Sequence, residues 1–307
     1  MDERTVRLFR ELVAPMRVPP GKEVELQRDF DPAATGDLVE KDDAEDLLAK
    51  GVDLLAEYQA RLAAQDTYGL LVVLQAIDGG GKDGTIRHVM SGVNPQGVHV
   101  HSFKTPSAEE LDHDYLWRCV EHLPARGEIA IFNRSHYEEV LAVRVHPEYL
   151  EGQKLPAESK GPDIWQRRYR AINGWERHLV ENGFRIVKLF LTISKEEQRQ
   201  RFLDRIDEPD KNWKFSAGDV KERGRWDDYQ AAFSAMLANT STEWAPWHVI
   251  PGDRKWFARI AASAVIVSAL ADIDPQYPLV DDEARRALRD ARVALAAEAA
   301  GDGVANV

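Results

Sequence analysis

An apolar run that stops abruptly in glycines constrains this chain more than any other feature: Leu70-Leu-Val-Val-Leu-Gln-Ala-Ile-Asp-Gly-Gly-Gly-Lys-Asp-Gly-Thr85. So short and so apolar a run predicts a strand over residues 69–77, buried on both faces. Gly79, Gly80 and Gly81 let the backbone turn sharply and bring N–H groups close to an oxyanion. A helix expected from Asp83 onward aims its positive end at the same spot. Lys82 adds a mobile point charge suited to β/γ-type phosphates. Together these residues predict a phosphate-binding loop from Asp78 through Gly84 to Thr85. The pattern departs from G-x-x-x-x-G-K-[ST] twice. Ala76 stands for the first Gly, and Asp83 for the Ser/Thr that normally holds Mg²⁺. A metal must then find another ligand, and Asp78 is the candidate.

The remaining chain alternates strands with helices. Further strands are expected over 97–103, 128–132, 184–193 and 248–250. Helices are expected over 1–17, 42–65, to about Met90, from the capping box Ser107-Ala-Glu-Glu110 toward His122, over 164–182, from the capping box Ser194-Lys-Glu-Glu197, over 219–237 and over 255–271. Such alternation predicts an α/β fold, a parallel sheet with helices on both faces. Ligands then bind at the carboxyl ends of the strands, where Lys82 and Arg134 fall. Three segments follow: an N-terminal helix and wrapping segment at 1–41, a main domain at 42–275 with a lid at about 197–235, and a helical tail at 276–307. The tail predicts a surface or oligomer-forming helix that frays after Ala300.

The chain has 40 Lys and Arg against 52 Asp and Glu, a formal charge of −12. That balance argues against non-specific binding to nucleic acid or to an anionic membrane. An anionic substrate needs a locally basic site on this acidic body. Cys119 is the lone cysteine, which excludes an intrachain disulfide and a multi-cysteine zinc site and suits a reducing compartment. Without a basic-then-apolar leader or a run of 18 apolar residues, the expectation is a cytoplasmic protein with no membrane partner. No H-E-x-x-H, C-x-x-C or G-x-S-x-G pattern occurs. His99 and His101 alternate along a strand, and Trp213 reads as a hinge anchor.

A second constellation supports the first. Arg134 follows a strand directly, so its guanidinium can reach the loop end of the sheet and grip phosphate bidentately. Glu138 follows it by one helical turn. Arg201 and Arg205 are four apart on one helix face, within a local cluster of Arg199, Arg201, Arg205, Lys211 and Lys214. A basic helix followed by a Pro-containing connection is how a lid over phosphates is written. The bland alternative is a solvated helix of ion pairs.

These pieces in this order resemble the polyphosphate kinase 2 family. The matching stretches are Gln75-Ala-Ile-Asp-Gly-Gly-Gly-Lys-Asp-Gly-Thr85, Phe132-Asn-Arg-Ser-His-Tyr-Glu138, Glu197-Gln-x-x-Arg-Phe-x-x-Arg205, Asp210-Lys-x-Trp-Lys-x-Ser216 and Thr240-Ser-Thr-Glu-Trp-Ala-Pro-Trp-His-Val-Ile-Pro251. The resemblance covers roughly residues 30–275. It implies a P-loop kinase fold of the thymidylate-kinase type with a helical lid, moving phosphoryl groups between inorganic polyphosphate and AMP, ADP or ATP, with guanine nucleotides as further acceptors. Mg²⁺, or Mn²⁺ in its place, is the implied cofactor, and a homo-oligomer the implied assembly. Carried over by position, Asp78, Lys82, Arg134, Arg201 and Arg205 are the catalytic set and Asp78 the metal ligand. Lys104, Lys211 and Lys214 join the loop in holding phosphate, Asn133 and Glu138 face the acceptor nucleotide, and His136, beside Arg134, either touches that acceptor or makes a structural hydrogen bond. Many members have Asp at position 133. The Asn-Arg-Ser-His-Tyr-Glu form looks like the class III branch, whose members phosphorylate both mono- and diphosphates.

Two rivals stand beside this reading. An ATP-dependent nucleoside monophosphate kinase shares the fold and differs in donor. A non-catalytic phosphate sensor is suggested by Asp83 in the Ser/Thr position. The chemistry tolerates Asn133, because the attacking phosphate oxygen is already ionised near neutrality and requires no strong general base.

Overall fold

The computed structural model describes residues 2–301 (for Lys214 and residues 299–301, the backbone only). Five strands form one parallel sheet: β1 Gly69–Ala76, β2 Val98–Ser102, β3 Ile129–Asn133, β4 Phe184–Thr192 and β5 Trp247–Pro251. Their order is β2-β3-β1-β4-β5. All eight residues of β1 are buried, as expected of a strand flanked by β3 and β4 and covered above and below. Its side chains alternate between two cores, with Leu70, Val72, Leu74 and Ala76 in one and Leu71 and Val73 in the other. Each of these Leu and Val side chains contributes about 1.5–3 kcal/mol through burial, and an Asp at Val72 would place an unpaired charge in the centre of the sheet.

The first core is closed by helices α1 Glu3–Val13, α2 Ala44–Gln65, α3 Lys82–Val89 and α8 Lys255–Ile273. The second is closed by α4 Ile164–Glu181 and α7 Trp226–Thr240. Between α4 and α7 come α5 Lys195–Asp207 and α6 Ala217–Arg223. Helix α8 is long and apolar enough to cross a membrane, but here it is the central helix of the first core, with Phe257, Ile260, Ile266 and Leu270 buried. Residues 1–275 form one compact unit, and the N-terminal segment belongs to it: Phe9 and Leu12 lie in the first core, Val18 and Leu26 in the second. Residues 276–307 form a separate unit containing α9 Asp282–Gly301, on which Leu288, Val293 and Leu295 are exposed. The helix runs on to Gly301, and the rest of the segment expected to fray, residues 302–307, lies outside the described residues.

From β1 the chain crosses to β2 on one side, and from β3 it crosses to β4 on the other. The switch point therefore lies between the carboxyl ends of β1 and β3, the crevice in which open α/β sheets bind ligands.

Two helices differ from expectation. The capping box at Ser107 does form, with Ser107 N to Glu110 Oε2 at 2.6 Å and Glu110 N to Ser107 Oγ at 3.2 Å. Yet only a 3₁₀ turn, Glu110–Asp112, and a short helix, Trp117–Val120, follow. His113 is extended and Asp114 caps Leu116 N at 3.0 Å, a side-chain bond that competes with continuation. The helix expected over 219–237 is two, α6 and α7, separated at Gly224, with α6 opened by a Ser216–Asp219 capping box. At α5 the box is half made. Ser194 Oγ accepts from Glu197 N, while the Glu197 carboxylate takes Arg201 Nε at 2.7 Å.

Candidate active site

The loop after β1 turns through Gly79 (φ +83°) and Gly81 (φ +96°), both left-handed, where a side chain would strain the backbone. Gly80 is required for a different reason. A Cβ there would lie 2.5 Å from the Ala76 methyl and 2.8 Å from the Ile77 carbonyl oxygen. Ala76, the first departure from the motif, thus fits because position 80 carries no side chain. Gly81 caps α3, whose first-turn N–H groups face the loop without partners inside the helix. Residues 78–85 all line a cavity of about 770 Å³ at the switch point.

Lys82 is buried, and its Nζ donates to the Ala76 carbonyl at 2.9 Å. Burial, helped by the Arg134 charge, brings its pKa down to about 8, against the opposing pull of Asp78, Glu138 and Asp83. Arg134 reaches the cavity from the end of β3 in a left-handed conformation (φ +60°), with its N–H held by the Leu74 carbonyl at 3.1 Å. Its Nη2 donates to Asp78 Oδ1 and its Nη1 to Glu138 Oε2 at 3.4 Å. The Glu138 charge, seconded by Asp78, raises the Arg134 pKa further and keeps it a cation. Asn133 Nδ2 donates to Asp83 Oδ1 at 2.7 Å and to Ser102 Oγ at 3.3 Å, tying the ends of β2 and β3 to the loop. An Asp at 133 would set two carboxylates against each other here, so the residues at 83 and 133 suit one another.

The lid arginines divide. Arg201 is buried and donates to three acceptors: Glu197 Oε1 at 2.7 Å, the Gly79 carbonyl at 2.9 Å and the Gly252 carbonyl at 2.5 Å. It lines the cavity while fastening α5 to the phosphate loop and to the end of β5. Arg205 lines the same wall, with Nη1 3.6 Å from Asp219 Oδ2. Lys211 (paired with Glu208), Trp213 and Lys104 also line the cavity. Arg199 pairs with Glu196 in solvent and takes no part in the lining, which corrects the expected five-cation cluster. The side chain of Lys214 lies outside the described residues.

The acceptor-facing residues also separate. His136 is a correction: it does not face the site. Its side chain is fully buried 3.6 Å from Glu176 Oε1, and burial lowers its pKa. The 3₁₀ turn His136–Val140 sends His136 and Tyr137 inward, away from Arg134 and Glu138. Glu138 lines a smaller chamber of about 20 Å³ on the far side of Asp78 and Arg134, with Tyr229 and Glu222. Gln75 braces it: with its amide oxygen accepting from Ser135, its nitrogen donates to Glu138 Oε1 at 3.0 Å.

Four residues escape the sequence reading. Gln198 Nε2 holds the Asp78 carbonyl at 2.8 Å. Arg87 on α3, and Lys255 and Arg259 on the first turns of α8, line the cavity wall. Burial and the neighbouring Arg87 charge lower the Arg259 pKa. The i,i+4 pair Lys255–Arg259 was readable as a basic helix start after a strand, but nothing local tied it to a loop more than 170 positions earlier. Among the described residues, nine cationic side chains and four carboxylates line the cavity, the reverse of the chain's overall balance.

A family model described as polyphosphate kinase 2 matches residues 38–278. A relative from Rhodopseudomonas palustris, named ADP-polyphosphate phosphotransferase, is 50% identical over 83% of this chain and 89% of its own. One from Meiothermus ruber, named AMP/ADP-polyphosphate phosphotransferase, is 47% identical over 85% and 94%. The crystal structure of polyphosphate kinase 2 from Arthrobacter aurescens TC1 superposes with a TM-score of 0.81 at 41% identity, covering 90% of this chain and 95% of that one.

Proposed function

The chain belongs to the polyphosphate kinase 2 family, and from that premise we propose that it transfers a phosphoryl group from inorganic polyphosphate to AMP and ADP, giving ADP and ATP. One observation carries the choice of donor. Along the cavity wall beyond the phosphate loop, Lys104, Arg87, Lys255 and Arg259 have no carboxylate partner among the described residues, in a chain with an excess of acid. Cations kept together and unpaired in an acidic protein await a polyanion. Four such cations added to a cavity that already holds Lys82, Arg134, Arg201 and Arg205 suit a chain of phosphates.

Lys82 and the amino end of α3 would hold the phosphate next to the bond that breaks. Arg134, between Asp78 and Glu138, would bridge donor and acceptor. Bringing two such anions together is the main obstacle: unit charges 4 Å apart repel by about 4 kcal/mol at an effective dielectric near 20. Positioned cations that neutralise this charge supply most of the catalysis. Mg²⁺ is held in such sites by one or two carboxylates plus substrate phosphates, and Asp78, which lines the cavity and takes Arg134 through Oδ1, is a carboxylate that fits that demand. Bound there, the metal would neutralise phosphate charge, and cytoplasmic nucleotide pools would supply the acceptor.

The test is incubation of purified protein with polyphosphate, Mg²⁺ and either AMP or ADP in the absence of ATP. ATP formed from ADP supports the reading. ADP formed from AMP only when ATP is supplied would replace it with the ATP-dependent kinase.

A further inference from the structure

Behind the turn that carries Arg134 and Glu138 lies a polar cluster sealed from solvent. Tyr137, Glu176 and Lys188 have fully buried side chains. Lys188, in the middle of β4, uses all three of its N–H bonds: to Glu176 Oε2 at 2.7 Å, Tyr137 Oη at 2.9 Å and the Thr240 carbonyl at 2.6 Å. Tyr137 Oη donates to Glu176 Oε1 at 2.7 Å. The cluster therefore joins the turn to β4, to α4 and to the end of α7. Eight residues earlier on α4, Arg168 Nη1 donates to the Glu139 carbonyl at 2.7 Å, and Nη2 donates to Gln153 Oε1 at 2.6 Å. Helix α4 thus grips the turn on both sides of Glu138, through Tyr137 and through Glu139.

Stability alone does not account for this arrangement. A buried ion pair must be stripped of water, and well-packed apolar residues of similar volume often serve stability as well or better. What hydrogen-bonded charges add is direction. Apolar contacts would let a short turn slide; four directed bonds into Tyr137, Glu176 and Lys188 would not. The turn has need of such fixing, because Arg134 adopts the left-handed conformation (φ +60°), which a non-glycine residue keeps only where its surroundings over-determine it.

We propose that Tyr137 is a positioning residue for phosphoryl transfer: anchored by Glu176 and Lys188, it sets the turn that aims the Arg134 guanidinium and the Glu138 carboxylate at the reacting phosphates. This inference rests on the phosphotransfer reading, whose own failure would show as no polyphosphate-dependent product from the wild-type protein.

Tyr137→Phe tests it, because the ring keeps its edge contact with Trp247 (centroids 4.8 Å apart) and only the hydroxyl is lost. With rates normalised to folded protein, kcat for ADP phosphorylation should fall about tenfold or more while KM for polyphosphate stays within about twofold, the signature of an interaction used only in the transition state. The Arg134 Nε–Hε resonance, assigned by its disappearance in Arg134→Lys, should shift or broaden in Tyr137→Phe. Should that variant fail to fold, Arg168→Lys keeps the charge and loses the fork, and the same fall in kcat with a shifted Arg134 resonance is expected. A kcat within about twofold of wild type, or an unmoved Arg134 resonance in the folded variant, would make the cluster a stability element only and overturn the proposal.

Discussion

Arg201 Nη1 donates to the carbonyl of Gly79 at 2.9 Å, a bond that spans 122 positions and joins the lid helix to the phosphate loop. Its neighbour one turn on, Arg205, lies over the Phe202 ring and beside Asp219, with no bond to the loop among the described residues. Two arginines that look alike in sequence therefore hold different tasks, one fastening the loop and one facing the cavity.

That division predicts a split between stability and binding. Arg201→Ala leaves the Gly79 and Gly252 carbonyls without their donor, and hydrogen bonds to charged groups are each worth about 1.5–3 kcal/mol. Arg201→Ala should therefore lower the unfolding free energy by about 3 kcal/mol, and Arg201→Lys should not restore it fully. Arg205→Ala should change stability by only about 0.5 kcal/mol and instead raise KM for polyphosphate. Urea titration beside steady-state kinetics checks this. Near-wild-type behaviour of both Arg201 variants would place α5 among solvated surface helices.

Lys82 gives a pH prediction with opposite signs for activity and stability. Its folded pKa is lowered, chiefly by burial, to about 8 from the ordinary 10.5. Below pH 8 the ammonium is charged in both folded and unfolded chains, and its burial penalty is present. Between about 8 and 10.5 the unfolded chain binds the extra proton, so this group's contribution to stability rises with pH there. The free protein loses the same charge from its phosphate loop, so kcat/KM for polyphosphate should decline above about pH 8. Lys82→Met should lack that limb of the profile, have very low activity, and melt no earlier than wild type. Retention of the alkaline limb in Lys82→Met would assign it to another group.

The unpaired wall predicts dependence on chain length. Arg87→Ala and Arg259→Ala, singly and combined, should raise KM for long polyphosphate while leaving use of tripolyphosphate nearly unchanged, because a short chain ends near the loop. Each lost contact should also lower the slope of log KM against log salt by about one unit. Equal loss with long and short donors would relocate these arginines to the reacting phosphates themselves.

What the sequence disclosed follows from where the information is local. β1 and its glycine loop are one continuous stretch whose burial, turning and charge are written in adjacent residues, and Asp78 to Thr85 line one cavity. The comparisons bear out the family and the P-loop kinase fold expected from the motifs. His136 misled because adjacency to Arg134 says nothing about facing in a 3₁₀ turn, which sends that ring inward. Arg87, Lys255 and Arg259 meet only after the sheet has closed, from stretches separated by β2 to β5, and no short-range pattern joins them. At Ser107 the capping signal was read correctly, but a cap starts a helix without guaranteeing its length.

Glu138 provides the remaining prediction, on acceptor range. Two relatives at 50% and 47% identity to this chain are named for ADP alone and for AMP and ADP, so overall similarity does not decide the question. Glu138 is held between Arg134 Nη1 at 3.4 Å and the Gln75 amide at 3.0 Å, and it faces the small chamber beside Asp78 instead of the main cavity. A carboxylate so near phosphate is unfavourable unless it holds Arg134, reaches Mg²⁺ through water or accepts from the acceptor itself. AMP has one phosphate fewer than ADP, so its attacking phosphate oxygen must lie one unit deeper to reach the same donor phosphorus. A group beside Arg134 that acts on the acceptor phosphate then matters more for AMP. Glu138→Ala and Glu138→Asn should reduce kcat/KM for AMP by about tenfold more than for ADP, a difference of about 1.4 kcal/mol in transition-state binding. Equal losses with both acceptors would make Glu138 an orienting partner of Arg134 in machinery common to both, and the acceptor-range role would be withdrawn.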